Sequence, residues 1–277
     1  MEYNIYVEEE TASHINLARR LYQVSTMKLN VKTDDIKFGT NILKIEVPKQ
    51  LRNKVKCGID YIDSALGGEG FTPSAVTFFT GTPGSGKTTM MLKMADQLTQ
   101  RGAIVVFNTA EESLYQIKLV AERLRLKHGF HAGQETSVPE LLKYCDELRN
   151  QPGSKGKPFF LIVDSLQTLN DGKYTNGGGG RAKDKRALGM ITDYCKEHYT
   201  NAVVIGQVNK SGEMAGSNVL KHMVDGMMTL SVEERDPDLR GCRVLKMIKN
   251  RFGGAGGTFF LELSKRGFKE VARVSAA

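Results

Sequence analysis

The chain is 277 residues long, 40% hydrophobic and 25% charged, with a formal net charge of +8. That is globular composition with apolar material for a full core, in one large domain or two small ones. No apolar run approaches the roughly 20 residues of a membrane span, and the polar, acidic start Met1-Glu2-Tyr3-Asn4-Ile5 is no signal peptide. The positive balance suits a polyanionic partner. The four cysteines, Cys57, Cys145, Cys195 and Cys242, form no C-x-x-C pair, so reduced thiols of a cytosolic protein are expected rather than a zinc knuckle.

Residues 1–50 read as an N-terminal extension, too short for a core of its own. Ile15, Ala18, Leu21 and Tyr22 share one face of a predicted helix over 15–24, and residues 38–47 look like a short strand or hairpin before Pro48. The extension is either an appendage packed on its own domain or an arm that docks on a neighbouring subunit.

From Gly58 the pattern is dense. A short helix with a glycine stop over 58–68 leads to a buried strand over 75–80. Gly81-Thr82-Pro83-Gly84-Ser85-Gly86-Lys87-Thr88 follows, and a helix starts at Lys87. A second apolar strand, 104–108, ends at Thr109-Ala110-Glu111-Glu112-Ser113 and is expected to neighbour the first. Ser137-Val138-Pro139-Glu140 has capping-box spacing before a helix over 141–149. A third strand, 159–163, ends in Asp164. A mobile loop is expected around the four consecutive glycines 177–180, then a helix over 183–199, a strand over 202–206 and a second polar loop over 207–218. Residues 226–271 read as β-rich. The whole is an α/β protein with a mostly parallel sheet and helices on both faces.

The chemistry starts at the G-x-x-x-x-G-K-T run. Glycines turn the backbone so that successive N–H groups of residues 81–89, through Thr89, face phosphate oxygens. The helix start adds a favourable dipole for the anion. Lys87 sits between β- and γ-phosphates, and the Thr88 hydroxyl is a Mg²⁺ ligand. Asp164, at the end of an apolar strand, reads as the second Mg²⁺ ligand of an ATP site. A carboxylate must activate the water; of the pair Glu111 and Glu112, Glu111 is taken as the base, with the other capping a helix. Gln207 ends the fourth expected strand and is placed to meet the γ-phosphate. Lys173, Arg181, Lys183, Lys185 and Arg186 against Asp184 give the 170–186 loop a net charge of +4, which suits a single-stranded DNA backbone. Lys210 lies in the second loop. Lys249 and Arg251 stand two apart on a predicted strand and so share a face. They meet either an acidic partner at the surface or the γ-phosphate of the next subunit.

Several segments carry a family likeness. Thr109-Ala110-Glu111-Glu112-Ser113-Leu114, Ile162-Val163-Asp164-Ser165-Leu166-Gln167, Lys210-Ser211-Gly212-Glu213-Met214-Ala215-Gly216, Val219-Leu220-Lys221-His222 and above all Lys249-Asn250-Arg251-Phe252-Gly253 resemble the bacterial RadA (Sms) DNA-repair proteins. The resemblance runs from roughly residue 51 to the C-terminus. It implies a RecA-fold ATPase core in a ring hexamer, a DnaB-type motor on single-stranded DNA in recombination, using ATP and Mg²⁺, cytoplasmic, beside other recombination proteins. It maps Glu111 to the catalytic glutamate, Lys249 and Arg251 to residues that reach a neighbour's ATP or support DNA-coupled motion, and the loops 170–186 and 207–218 to DNA-facing loops. The departures are the absence of cysteine in residues 1–50, where RadA has a zinc finger, the end of the chain at Ala277 without a Lon-protease-like domain, and Gln207 in place of a histidine. The rival expectations are a strand-exchange recombinase filament and a KaiC-type protein-binding switch.

Overall fold

The computed structural model describes residues 36–172, 180–207, 217–254 and 257–274. The helix expected over 15–24 and the glycine run 177–179 lie outside them.

Nine strands form one sheet: β1 Val76–Gly81, β2 Ile104–Thr109, β3 His131–Gly133, β4 Phe159–Asp164, β5 Asn201–Gln207, β6 Gly226–Val232, β7 Arg243–Asn250, β8 Thr258–Ser264 and β9 Gly267–Val274. The helices are α1 Lys49–Arg52, α2 Asp60–Ala65, α3 Lys87–Gln100, α4 Leu114–Leu124, α5 Val138–Arg149, α6 Gly180–His198 and α7 Ser217–Met223. The strand order is β3-β2-β4-β5-β1-β6-β7-β8-β9. Pairing is parallel from β3 through β6 and antiparallel from β6 to β9.

Continuous apolar runs make the central strands, because both faces are covered. On β4, Phe160 and Ile162 join one core with Phe79, Phe107 and the Met-rich face of α3. Phe159, Leu161 and Val163 join the other with Val76, Phe78 and helices α5 and α6. Three cysteines, Cys57, Cys145 and Cys195, are buried in these cores, and Cys242 is half-buried just before β7. Burial pushes the thiols of Cys145 and Cys195 up to about 12 and raises that of Cys57 well above its ordinary value.

Four expectations need correction. Residues 38–47 contain no strand; Ile42–Lys44 is a 3-10 turn, because the Asn41 side chain accepts a hydrogen bond from the Leu43 amide and the apolar side chains there meet solvent rather than a partner strand. β2 does not neighbour β1: β4 and β5 lie between them, and β1 pairs with β5 and β6. The capping box expected at Ser137 is absent: the Ser137 side chain makes no cap bond, and its amide donates to Glu135 Oε1 rather than to Glu140. The capping box is at Ser113 and Gln116, at the start of α4, so neither Glu111 nor Glu112 is that helix's cap.

Candidate nucleotide site

The parallel strands deliver their C-terminal ends to one edge of the sheet. The register aligns Gly81 with Gln207 and Thr109 with Asp164, so loops after β1, β2, β4 and β5 open on the same side. Open α/β sheets bind ligands at this edge.

Two glycines shape the loop after β1. A Cβ on Gly81 would stand 2.1 Å from the Leu230 carbonyl oxygen, so only glycine lets β1 and β6 approach there. Gly86 has φ +101° and abuts the Phe268 ring. It begins α3 with no side-chain cap, so the first N–H groups of a 14-residue helix stay open for an anion. The Ser85 hydroxyl is fully buried and has no hydrogen-bond partner among the described residues. This uncapped helix start and orphan hydroxyl fit a phosphate group.

Lys87 Nζ donates to the carbonyls of Gly81 at 2.8 Å and Thr82 at 3.0 Å. Burial pulls it below the ordinary lysine range, against the charges of Asp164 and Glu111. Thr88 Oγ1 donates to Asp164 Oδ2 at 2.6 Å. Ser165 Oγ donates to Glu111 Oε1, and the Ala110 amide donates to the Asp164 carbonyl at 3.1 Å. The turn after β2 is thereby drawn over the end of β4. Lys87, Thr88, Asp164, Ser165 and Glu111 are thus brought together. Thr89 stands one residue on, and its hydroxyl accepts from Arg123 Nη2 at 3.4 Å.

Burial, reinforced by the charges of Glu111 and Glu112, pushes the Asp164 carboxyl up to about 6; the Thr88 hydrogen bond and Lys87 oppose this. The folded carboxyl therefore holds its proton more tightly than the unfolded one, whose value is about 3.9. Stability from this group is full below about pH 4 and is lost as pH rises through about 6. With chelator and no nucleotide, Asp164→Asn should be the more stable protein at neutral pH, by on the order of 3 kcal/mol. The gap should narrow on acidification through pH 6 in thermal melts. A gap that does not change with pH would remove burial as the cause.

Other expected site residues lie elsewhere. The Gln207 backbone pairs with Gly81, but its side chain falls outside the described residues, as do the Arg181 side chain and all of Lys173 and Lys210. Lys183 Nζ donates to the Gln167 carbonyl at 2.8 Å, and Arg186 pairs with buried Asp171. Both cations are therefore engaged within the chain, and Lys185 is exposed. Lys249 and Arg251 sit at the opposite end of the sheet from Gly81, and both have partners there. Lys249 Nζ donates to the carbonyls of Lys221 and Val224, and Arg251 Nη1 pairs with Asp225 at 2.9 Å. Sequence reasoning misses Ser165 and Asp225. The position of Ser165 beside Asp164 is a usable signal; Asp225 carries no local one.

Residues 55–128 match the family described as "ATPase: KaiC". The DNA repair protein RadA of Aquifex aeolicus is 31% identical over 229 residues, 82% of this chain and 48% of that protein. The chain is homologous to RadA. The RadA of Streptococcus pneumoniae is 30% identical over 224 residues, 80% of this chain and 50% of that protein. The chain spans about half the length of the RadA proteins it matches. Among solved structures, a DnaB-like replicative helicase superposes with a TM-score of 0.67 at 14% identity, covering 78% of this chain and 61% of that one. A KaiC-like protein from Pyrococcus horikoshii gives 0.63 at 19% identity, covering 79% and 99%. The fold is the RecA-like P-loop ATPase fold, and the RadA likeness expected from the sequence stands. Among the described residues no helix is long and apolar enough to cross a membrane.

Proposed function

We propose that this chain is the ATP-hydrolysing core of a DNA-acting motor of the RadA type, working on single-stranded DNA as a homo-oligomeric ring. The observation that carries the reading is the convergence of Lys87, the Thr88–Asp164 pair and the Ser165–Glu111 pair on one edge of the sheet. Residues 81–89 cradle the phosphates and Lys87 swings from its carbonyls to the γ-phosphate. Mg²⁺, held by Thr88 and Asp164, would neutralise charge between β- and γ-phosphates. Glu111 takes the proton of the attacking water, and Gln207 meets the γ-phosphate. Lys249 and Arg251 act on the nucleotide of the next subunit. Residues 1–50 are an extension that holds neighbours together, and 51–277 form the ATPase core. Relatives named for DNA repair and a structural neighbour that is a DnaB-like replicative helicase support the DNA reading. The KaiC family match supports the rival of a switch that binds protein.

Single-stranded DNA is expected to raise the rate of phosphate release, and a rate indifferent to it would favour the switch. Neutralising Arg181, Lys183 and Lys185 together should weaken DNA binding and lower the slope of log K against log salt by roughly 0.7 for each phosphate no longer neutralised. Because Lys183 is held by Gln167, Lys185 should carry more of that change than Lys183. Glu111→Gln should bind ATP and hydrolyse it at least about 10²-fold more slowly, the scale of a lost general base. The same defect in Glu112→Gln, with Glu111→Gln active, would reassign the base.

A further inference from the structure

At the base of the sheet, away from the phosphate loop, lies a charge cluster that the hydrolysis chemistry of one subunit does not use. Asp225 joins α7 to β6, and its side chain is 1% exposed. Its carboxylate accepts from the Val76 amide at 3.1 Å, from Lys196 Nζ at 3.4 Å and from Arg251 Nη1 at 2.9 Å. Val76 is the first residue of β1, the strand that ends at the phosphate loop. Lys249 stands beside this group on the backbone carbonyls of Lys221 and Val224. Asp225 is the only carboxylate paired with Lys196 and Arg251 among the described residues, although Asp193 offsets part of the Lys196 charge, and Lys249 is held by backbone carbonyls instead.

Positive charge therefore exceeds negative charge here. An ion pair kept only for stability needs one cation, which the largely buried Lys196 already supplies, and Arg251 joins it from the exposed side. Burial and the neighbouring Arg251 charge pull Lys249 below the usual lysine range, against the charge of Asp225. Arg251 meanwhile keeps 49% of its side chain exposed while Asp225 grips one nitrogen. A free arginine spreads over many rotamers, and fixing it in one costs that freedom. A buried carboxylate that is itself anchored to β1 removes that freedom.

We propose that Asp225 is the positioning residue for Arg251, fixing the guanidinium so that its exposed side meets the γ-phosphate held by a neighbouring subunit. This rests on the in-trans role of Arg251 proposed above. Asp225→Asn keeps an oxygen for the Val76 amide and loses the charge that holds Arg251. Turnover should fall about 10²-fold, the scale for a misplaced reacting group, with the KM for ATP little changed.

The deciding measurement mixes Asp225→Asn subunits with Lys87→Ala subunits. The Asp225→Asn subunit retains an intact phosphate loop and the Lys87→Ala subunit an intact Arg251, so interfaces joining the two should hydrolyse ATP and activity should rise on mixing. If Asp225 serves only its own β1, activity stays at the level of the separate variants and the proposal is wrong. Arg251→Ala mixed with Lys87→Ala runs beside it. Recovery there without recovery for Asp225→Asn sinks the Asp225 assignment alone. Recovery in neither, with subunit exchange demonstrated, sinks the in-trans role and this proposal with it. If Asp225→Asn does not fold, Asp225→Glu, with its carboxylate one methylene further out, replaces it in the same mixture. Wild-type turnover in whichever variant folds also overturns the proposal.

Discussion

Lys87→Ala is expected to show no measurable ATP hydrolysis while keeping its fold. The lysine ties the phosphate loop together through the carbonyls of Gly81 and Thr82. Each such bond is worth about 1 kcal/mol net, and burial of the ammonium already works against it. The melting temperature should therefore move little. With nucleotide present the balance reverses. The only side-chain cation that the loop sequence supplies to the β- and γ-phosphates is gone, and the positioning and charge stabilisation on which phosphoryl transfer relies go with it. Phosphate release, a fluorescent-nucleotide titration and a thermal melt on one preparation make the test. Normal turnover would refute the phosphate-loop assignment, whereas a collapsed melt would turn the lost activity into a folding defect.

Arg251→Ala should reduce turnover by about 10³-fold or more, the scale of an arginine supplied in trans. The register is the reason. β6 pairs Gly226 with both Thr77 and Asn250. Arg251 thus lies at the level where β1 begins at Val76, five residues before Gly81. At about 3.3 Å per residue that is roughly 16 Å from its own phosphate loop, too far for a guanidinium already tied to Asp225. If Arg251 touches a nucleotide, it is another subunit's. ATP binding by Arg251→Ala should persist, since the loop that binds is untouched, and Arg251→Lys should not restore the rate because lysine lacks the planar fork. The substitution also leaves buried Asp225 with Lys196 as its remaining cation, so a lower melting temperature is expected. Rates are best compared well below it. Turnover near that of the unaltered protein would confine Arg251 to the ion pair.

Much of this arrangement is legible in the sequence, and the misses have local causes. The central strands are legible because strands buried on both faces are uninterrupted apolar runs, as at Phe159–Asp164. The phosphate loop is legible because its glycines and lysine have fixed spacing. Strand order is not. Consecutive strands tend to be neighbours, yet β4 and β5 insert between β1 and β2. Glu111 nevertheless reaches the site, since the turn after β2 is bonded to Asp164 and Ser165. Residues 38–47 look like a strand from alternation alone, but a strand needs a partner, and the Asn41 side chain makes a turn instead. Lys249 lies on β7, but Arg251 falls in the turn just past its end, so period two does not place the pair. Their partners are invisible, because Asp225 is 26 residues from Arg251 in sequence and enters through the fold. β3, at three residues, is too short to leave a periodic signal.

The distribution of the cysteines has a practical outcome for the mixing experiments. Cys57, Cys145 and Cys195 are buried and hold their protons well above neutral pH, so the thiolate that attacks a maleimide is scarce and shielded there. Cys242 is half-buried just before β7. The natural chain is thus close to a single-label protein without any cysteine being removed. Arg243, the next residue, pairs with Val232 on β6, beyond the Leu230 that faces Gly81, so the label sits towards the nucleotide edge of the sheet, on the second strand from β1. Labelled protein should first match the unlabelled rate. Donor and acceptor dyes attached at Cys242 in separate preparations would then report by energy transfer when subunits of the two have entered one assembly. The same samples could be assayed for phosphate release, so that exchange and recovered hydrolysis are read from one tube.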